Sequence, residues 1–426
     1  MTNATERLRQ LPALHADGKR AGITSVCSAH PLVIEAALAH GKAWNADVLI
    51  EATCNQVNQD GGYTGMTPAD FRRFVEVIAA KVGFPLERLI LGGDHLGPNP
   101  WKDRPAEEAM AKAEAMIAAF AAAGFTKIHL DTSMGCAGET VALDDRTTAE
   151  RAARLAAVCE ANLAGTKPVY VVGTEVPVPG GALEALDHLQ VTQPEAALAT
   201  VEVHREAFTA RGLDDAFSRA IAAVVQPGVE FGNADVVVYR PEAARALSAT
   251  LGQMPQFVFE AHSTDYQPRE ALKALVDDGF SILKVGPGLT FALREALYGL
   301  DAIAAVLVPD VDRTPLPAVM EEVMLAAPGN WKKYYPGTPQ QQAVERHFSF
   351  SDRIRYYWPE PAAGKAVDDL LAALGDRSIP LTLVSQYLGR LYVKVAAGAV
   401  TPTARALLLG SVEAVLDDYA FATDAD

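Results

Sequence analysis

Apolar residues fall along this chain in short, often β-branched runs separated by longer stretches with helical spacing. Eight runs read as strands, at 22–30, 47–53, 88–95, 127–132, 168–175, 223–229, 256–262 and 281–286. The sixth is the least regular. Between them, 67–82 places Phe71, Phe74, Val75 and Ile78 at helical spacing. Thr67 followed by Pro68 and then Asp70 reads as its N-cap. A second helix opens at Pro105 and stops at Gly124, a residue suited to the position just past a helix end. Further helical stretches at 147–163, 193–212, 241–251, 268–279 and 291–300 fill the remaining gaps.

Eight strand–helix units over roughly 280 residues approach the ~250 typical of a (β/α)8 TIM barrel. The rival doubly wound sheet usually shows a glycine-rich first turn for a dinucleotide, and no GxGxxG occurs. The expected fold is therefore α/β, a barrel over 1–310. After about residue 310 the alternation stops. Helices are expected at 315–326, 366–374, 381–396 and 401–419, with an aromatic, turn-rich stretch at 330–358. This makes 311–426 a helical C-terminal extension packed on the barrel.

Composition narrows the function classes. The 426 residues are half hydrophobic and 21% charged, a globular mixture. The net charge of −16 argues against nucleic acid or an anionic membrane as a partner. It leaves room for a small phosphorylated substrate held by a few local cations. Cys27, Cys54, Cys136 and Cys159 form no CxxC pair, so a reducing cytoplasm is the expected compartment. The first twenty residues lack the apolar core of a signal peptide, and no apolar run is long enough to span a membrane. GxxxxGK[ST], GxSxG and HExxH are all absent, so no nucleotide cofactor is expected.

In such a barrel the chemistry sits at the C-terminal strand ends, and polar residues gather there. Ser25, Cys27, Ser28 and His30 end the first strand, and Glu51, Thr53, Asn55 and Gln56 the second. Asp94 and His95 end the third, Asp131 the fourth and Glu175 the fifth. Glu230 follows the sixth, Glu260 and His262 end the seventh, and Lys284 leads the eighth into a turn at 286–290. Two histidines and several carboxylates converging from separate strands look like a divalent metal site, suited to zinc, with manganese the alternative. The candidate ligands are His95, His262, Glu175 and Glu230. The bland reading is a polar ring of hydrogen bonds closing the barrel mouth. Asp94, Asp131 and Glu260 stand where acid–base groups would be useful. Asp131 and Glu260 could equally hold histidine tautomers.

Substrate contacts are expected from Ser25, Glu51, Asn55, Ser263 and Lys284. The turn carrying Gly286 and Gly288 could present N–H groups to a phosphate at a helix N-terminus. Arg353 and Arg355 could clamp a phosphate, or form part of an aromatic packing strip.

Several stretches resemble one family. They are GITSVCSAHP (22–31), EATCNQVNQ (51–59), GGDHLGP (92–98), HLDTSM (129–134), GTEVPVPGG (173–181), EAHSTD (260–265), KVGP (284–287) and SDRIRYYW (351–358). Together they resemble the accessory-subunit family of class II tagatose-bisphosphate aldolase, the KbaZ/GatZ type. The resemblance implies a TIM barrel of the class II aldolase type, acting in galactitol or tagatose catabolism. Members have been labelled tagatose 6-phosphate kinase, aldolase accessory subunit and tagatose 6-phosphate 4-epimerase. Asp94 and His95 match a strand-three pair that supplies a proton-transfer acid and a metal ligand in the aldolases. His262 matches the strand-seven ligand, and Glu175 lies where a strand-five carboxylate is expected. Glu230 occupies the slot nearest a further aldolase histidine. The aldolase phosphate motifs, Gly-Ser and Asn-x-Asp-Thr, are not matched.

The well-furnished mouth favours metal-dependent epimerisation at C4 of a ketohexose 6-phosphate, by retro-aldol and aldol steps. The alternative is a non-catalytic partner that stabilises a class II aldolase subunit. A homo-oligomer is compatible with either reading.

Overall fold

The computed structural model describes residues 3–173 and 189–424. Eight parallel strands close into a barrel: β1 (Ile23–Cys27), β2 (Val48–Thr53), β3 (Leu89–Leu96), β4 (Lys127–Leu130), β5 (Val169–Val172), β6 (Ala220–Val224), β9 (Val258–Ala261) and β10 (Ile282–Val285). Their order around the barrel is β1-β10-β9-β6-β5-β4-β3-β2, and closure runs through Ile23 paired with Ile282. A two-stranded antiparallel pair, β7 (Glu230–Phe231) and β8 (Val236–Val237), follows β6 outside the barrel.

The sixth strand lies earlier than its apolar run predicted. It spans Ala220–Val224 rather than 223–229, because Pro227 and Gly228 belong to the connection that follows. Its alanines are poor strand formers in isolation. Burial on both faces of a parallel barrel overrides that preference. The helix expected at 381–396 is broken into Leu381–Tyr387 and Tyr392–Ala396, with Gly389 between them. The helix after β4 begins at Asp145 and the one after β10 spans Pro287–Leu307, longer than its periodic stretch indicated. Helix Pro68–Val82 starts at the predicted cap, where Thr67 and Asp70 form a reciprocal capping box.

Side chains alternate along each strand between the barrel interior and the surrounding helices. Outward residues such as Ile50, Leu91, Ile128, Tyr170, Phe259 and Leu283 join the large core shared with the helices. Inward residues near the strand starts, including Leu49, Ile90, Val169, Ile221 and Ile282, form a second apolar cluster, closed by Ala4, Leu8 and Leu11 of the N-terminal helices. Thr5 of that plug donates to Thr126 at 2.8 Å, just ahead of β4. Apolar side chains thus fill the lower barrel and leave the upper half for polar ones.

The C-terminal helices join the same large core. Helix Ala404–Thr423 packs against Pro287–Leu307, Arg269–Asp277 and Pro31–Ala43. Its last turn accepts the Gly22 N–H on the Thr423 carbonyl at 3.2 Å, beside the start of β1.

Candidate metal centre at the barrel mouth

The inward parity of the strands dictates what enters the upper barrel. On β4, Lys127 and His129 share the inward face while Ile128 and Leu130 point out. Lys127 is wholly buried between Glu51 of β2 and Glu260 of β9, with its Nζ 2.7 Å from a carboxylate oxygen of each. Ser25 donates to the other oxygen of Glu51 at 2.5 Å. Gly92 makes room for this arrangement, since a Cβ there would lie 2.5 Å from Glu51 Oε1. One ammonium between two carboxylates offsets part of the large desolvation cost of burying all three. The pairing raises the Lys127 pKa and lowers that of Glu260, in each case against the opposing effect of burial.

Above this layer stand Asp94, His95, His129 and His262. One ligand-type atom from each lies within 4.8 Å of every other. Asp94 and His95 are neighbours on β3 and would ordinarily face opposite ways. The β3–β4 register shifts between Gly93 and Leu96, and His95 adopts φ 48°. This bulge, with a left-handed non-glycine residue, brings both side chains to the mouth.

Each imidazole has a nitrogen turned onto an acceptor, and His129 has its second, Nδ1, against Asp94 Oδ1 and the His95 N–H as well. His95 Nδ1 is 2.8 Å from Asp131 Oδ2, His262 Nε2 is 3.0 Å from Glu260 Oε1, and His129 Nε2 is 2.9 Å from the Gly173 carbonyl. At His95 and His262 the carboxylate in that position fixes the tautomer of a neutral ring and puts the lone pair on the opposite nitrogen, the usual support of a metal-bound histidine. Burial lowers the pKa of His95 and pushes that of His262 far down, with Lys284 adding to the effect at both. Both rings are thereby kept in the ligand-competent neutral form. Burial also opposes the charged form of His129, but Asp94, 2.9 Å from its Nδ1, outweighs it and raises that ring's pKa. Asp94 itself is held well below the usual carboxylate range: His95, Lys284 and His129 overcome its burial. The donor set of three imidazoles and one carboxylate fits a divalent cation of the zinc or manganese type.

A cavity opens over the cluster. It is lined by His95, His262 and Lys284 together with Asn55, Gln56, Tyr63, Ser263, Arg355 and Tyr356. Lys284 Nζ also contacts Asp94, so it stands between that carboxylate and the opening. Arg355 is held by the carbonyls of Ser351 and Asp352 and by the Tyr356 hydroxyl.

A family model described as "D-tagatose-1,6-bisphosphate aldolase subunit GatZ/KbaZ-like" matches residues 8–424. The chain belongs to this family. Among its relatives, a D-tagatose 6-phosphate 4-epimerase of Agrobacterium fabrum is 56% identical, over 98% of this chain and 99% of that protein. A D-tagatose-1,6-bisphosphate aldolase subunit GatZ of Klebsiella pneumoniae is 51% identical, over 98% of this chain and all of the relative. A crystal structure named a probable tagatose 6 phosphate kinase, from Sinorhizobium meliloti 1021, superposes with a TM-score of 0.89 at 61% identity. It covers 95% of this chain and all of that one.

Against that GatZ/KbaZ-like frame, the residues singled out by sequence fall into three groups. His95, His262 and Asp94 meet in the cluster, and Asn55, Ser263, Lys284, Gly286 and Arg355 line the cavity above it. Asp131 and Glu260 support histidines from behind. The remainder lie elsewhere. Glu230 stays out of the cluster: it sits on β7, accepts the Phe231 N–H at 2.9 Å and lies beside Ser263. Ser25 and Glu51 do not reach the cavity, because inward parity places them in the layer around Lys127. The N–H groups of Gly286 and Gly288 are not open to a phosphate, because Asp265 already occupies them, at 3.0 and 2.6 Å. Arg353 is no clamp at the mouth. Its guanidinium lies 3.3 Å from the ring centre of Tyr334 and its Nε donates to the Asn330 carbonyl, the packing-strip alternative. Glu175 lies outside the described residues.

His129 and Lys127 escaped the sequence reading, as did Tyr63 and Tyr356 of the cavity wall. The signal for the first two was available: in KIHL, the polar positions alternate with apolar ones inside a strand otherwise buried on both faces.

Proposed function

We propose that this chain is a metal-dependent epimerase that inverts C4 of a ketohexose 6-phosphate, interconverting tagatose 6-phosphate and fructose 6-phosphate in galactitol or tagatose catabolism. The observation that carries the reading is the meeting of Asp94, His95, His129 and His262 under an open cavity at the C-terminal end of the barrel. The epimerase name of a 56% identical relative supports it.

The three imidazoles would hold zinc, with manganese the alternative, and the bound cation would supply a Lewis acid for the C2 carbonyl and C3 hydroxyl oxygens of the sugar, with Asp94 kept beside it for the proton. Asn55 and Ser263 orient the hydroxyl groups and Arg355 takes the phosphate. Lys284, hydrogen-bonding the incoming sugar, exposes Asp94 to the C4 hydroxyl. Asp94 accepts that proton as the C3–C4 bond breaks. The bond pair passes toward the C2 carbonyl, leaving a three-carbon enediolate and an aldehyde retained in the cavity. The aldehyde turns, the enediolate re-adds to its other face, and Asp94 returns the proton to the new C4 oxygen. Asp131 and Glu260 hold His95 and His262 in place throughout. We assign the activity to the cytoplasm; no helix among the described residues is long and apolar enough to cross a membrane.

The subunit names of other relatives favour a second reading, in which the chain stabilises a separate class II aldolase subunit. Incubating the purified chain alone with tagatose 6-phosphate separates the two. Formation of fructose 6-phosphate, abolished by chelation and restored by Zn²⁺ or Mn²⁺, is the expected result. No turnover alone, together with a raised melting temperature of an added aldolase subunit, would replace the first reading by the second. A kinase would require ATP and yield a bisphosphate.

A further inference from the structure

The turn after β10 has the form of an anion cradle. The N–H groups of Gly286 and Gly288 open the long helix Pro287–Leu307 and converge on one point. That point is taken from within the chain by Asp265 Oδ1, which accepts both N–H groups at 3.0 and 2.6 Å. The fit is close: a Cβ on Gly288 would lie 3.0 Å from the same oxygen.

The loop that delivers Asp265 is fixed on either side. Thr264 Oγ donates to the Lys284 carbonyl at 2.6 Å, and the Tyr419 hydroxyl donates to the Thr264 carbonyl at 2.9 Å. The Tyr266 hydroxyl donates to the Phe350 carbonyl at 2.6 Å. Ser263 and Tyr266 both adopt left-handed backbone, with φ of 52° and 64°. A loop held in two costly conformations by anchors on β10, the C-terminal helix and the 350 region keeps its carboxylate in one place.

We propose that Asp265 is a specificity-determining residue, a built-in anion that closes this cradle so that the cavity admits a ketose carrying one phosphate and rejects a ketose bisphosphate. The inference rests on the reading of the cavity as a site for phosphorylated ketoses. Among the described residues, two cationic side chains line that cavity, Lys284 and Arg355. Lys284 is paired with the Asp94 carboxylate, whereas the carbonyls and hydroxyl that hold Arg355 are neutral and leave its charge for a phosphate. A second phosphate would have to displace Asp265 from two charge-assisted hydrogen bonds and would meet its negative charge besides.

Calorimetric titration of the whole chain tests this without relying on turnover. The probes are tagatose 6-phosphate, tagatose 1,6-bisphosphate and inorganic phosphate, applied to the wild type, Asp265→Ala and Asp265→Asn. The wild type is expected to bind the bisphosphate at least about tenfold more weakly than the monophosphate. Asp265→Ala vacates the cradle, and should erase most of that gap and gain affinity for inorganic phosphate. Asp265→Asn keeps an acceptor oxygen on the N–H pair and should gain no phosphate affinity. Bisphosphate binding as tight as monophosphate binding in the wild type overturns the proposal, whether or not the variants fold, and so does an unchanged ratio in a folded Asp265→Ala. Failure of either sugar to bind, with phosphate affinity gained in Asp265→Ala, would overturn the ketose reading and leave the cradle assignment standing.

Discussion

His95 and His262 stand with their ring centres 4.9 Å apart, although β3 and β9 are four strands apart around a ring of eight. Residues 167 positions apart in sequence meet because both top inward-facing tracks of a closed barrel. His129 completes the triangle at 5.0 and 5.3 Å. Three imidazoles this close in a buried site cannot all become charged without severe repulsion. Asp94 raises the pKa of His129, whereas burial lowers those of His95 and His262, so the three rings do not favour charge together.

Asp131 acts on the cluster through His95. Asp131→Ala should weaken zinc binding about 10–100-fold, the usual cost of losing such a support. A competition titration with a chromophoric chelator reads this directly. Unchanged affinity would mean that the Asp131 contacts with His95 and Ser133 serve the fold and not the ion.

Lys127 holds the buried layer beneath. Lys127→Met leaves Glu51 and Glu260 facing each other without a counter-charge, and should destabilise the fold by about 3–5 kcal/mol. Urea unfolding measures it. A loss below about 1 kcal/mol would mean that the two carboxylates are protonated partners rather than an ion-paired set.

Glu230 gives a pH signature. Burial raises its pKa from 4.5 to about 7, opposed by the Phe231 N–H and Ser263. A raised acid favours the folded state while protonated. Its contribution is complete below 4.5 and lost as pH rises through 7, up to about 3 kcal/mol in all. Glu230→Gln stays neutral and can still accept the Phe231 N–H. The wild type should therefore lose stability relative to Glu230→Gln as pH rises from 4 to 8, as followed by thermal melts of the pair. A constant difference between the two would refute the assignment.

The two arginines of the 351–358 strip should separate cleanly. Arg355→Ala should raise KM for phosphorylated ketoses by about tenfold or more, with little effect on free ketoses. Arg353→Ala removes a guanidinium stacked on Tyr334 and should lower stability while leaving that preference intact. Steady-state kinetics with both substrate types, beside a melt, distinguish them.

Much of this was readable before any coordinates. The βα alternation gave the barrel, and the Asp94–His95 pair and His262 emerged because strand ends are where polar residues stand out. What stayed hidden depended on parity and on contacts distant in sequence. Ser25 and Glu51 sit in the same segments as real cavity residues, and only the register of β1 and β2 sends them inward to Lys127. Lys127 and His129 lie within β4, away from the strand end where polar residues stand out, and only the alternation in KIHL marks them. Gly286 and Gly288 have the composition of a phosphate turn, and nothing local reveals that Asp265, some twenty residues earlier, fills it. Arg353 and Arg355 are two residues apart and look equivalent. Their separation into packing and cavity wall follows from where Tyr334 lies.

The most direct test is a calorimetric zinc titration of the chelator-stripped chain, wild type beside His262→Ala. The account predicts one ion bound per wild-type chain, binding lost in His262→Ala, and both proteins folded by circular dichroism. A wild-type chain that takes up no zinc or manganese, or a His262→Ala chain that binds the ion as tightly as the wild type, would contradict it.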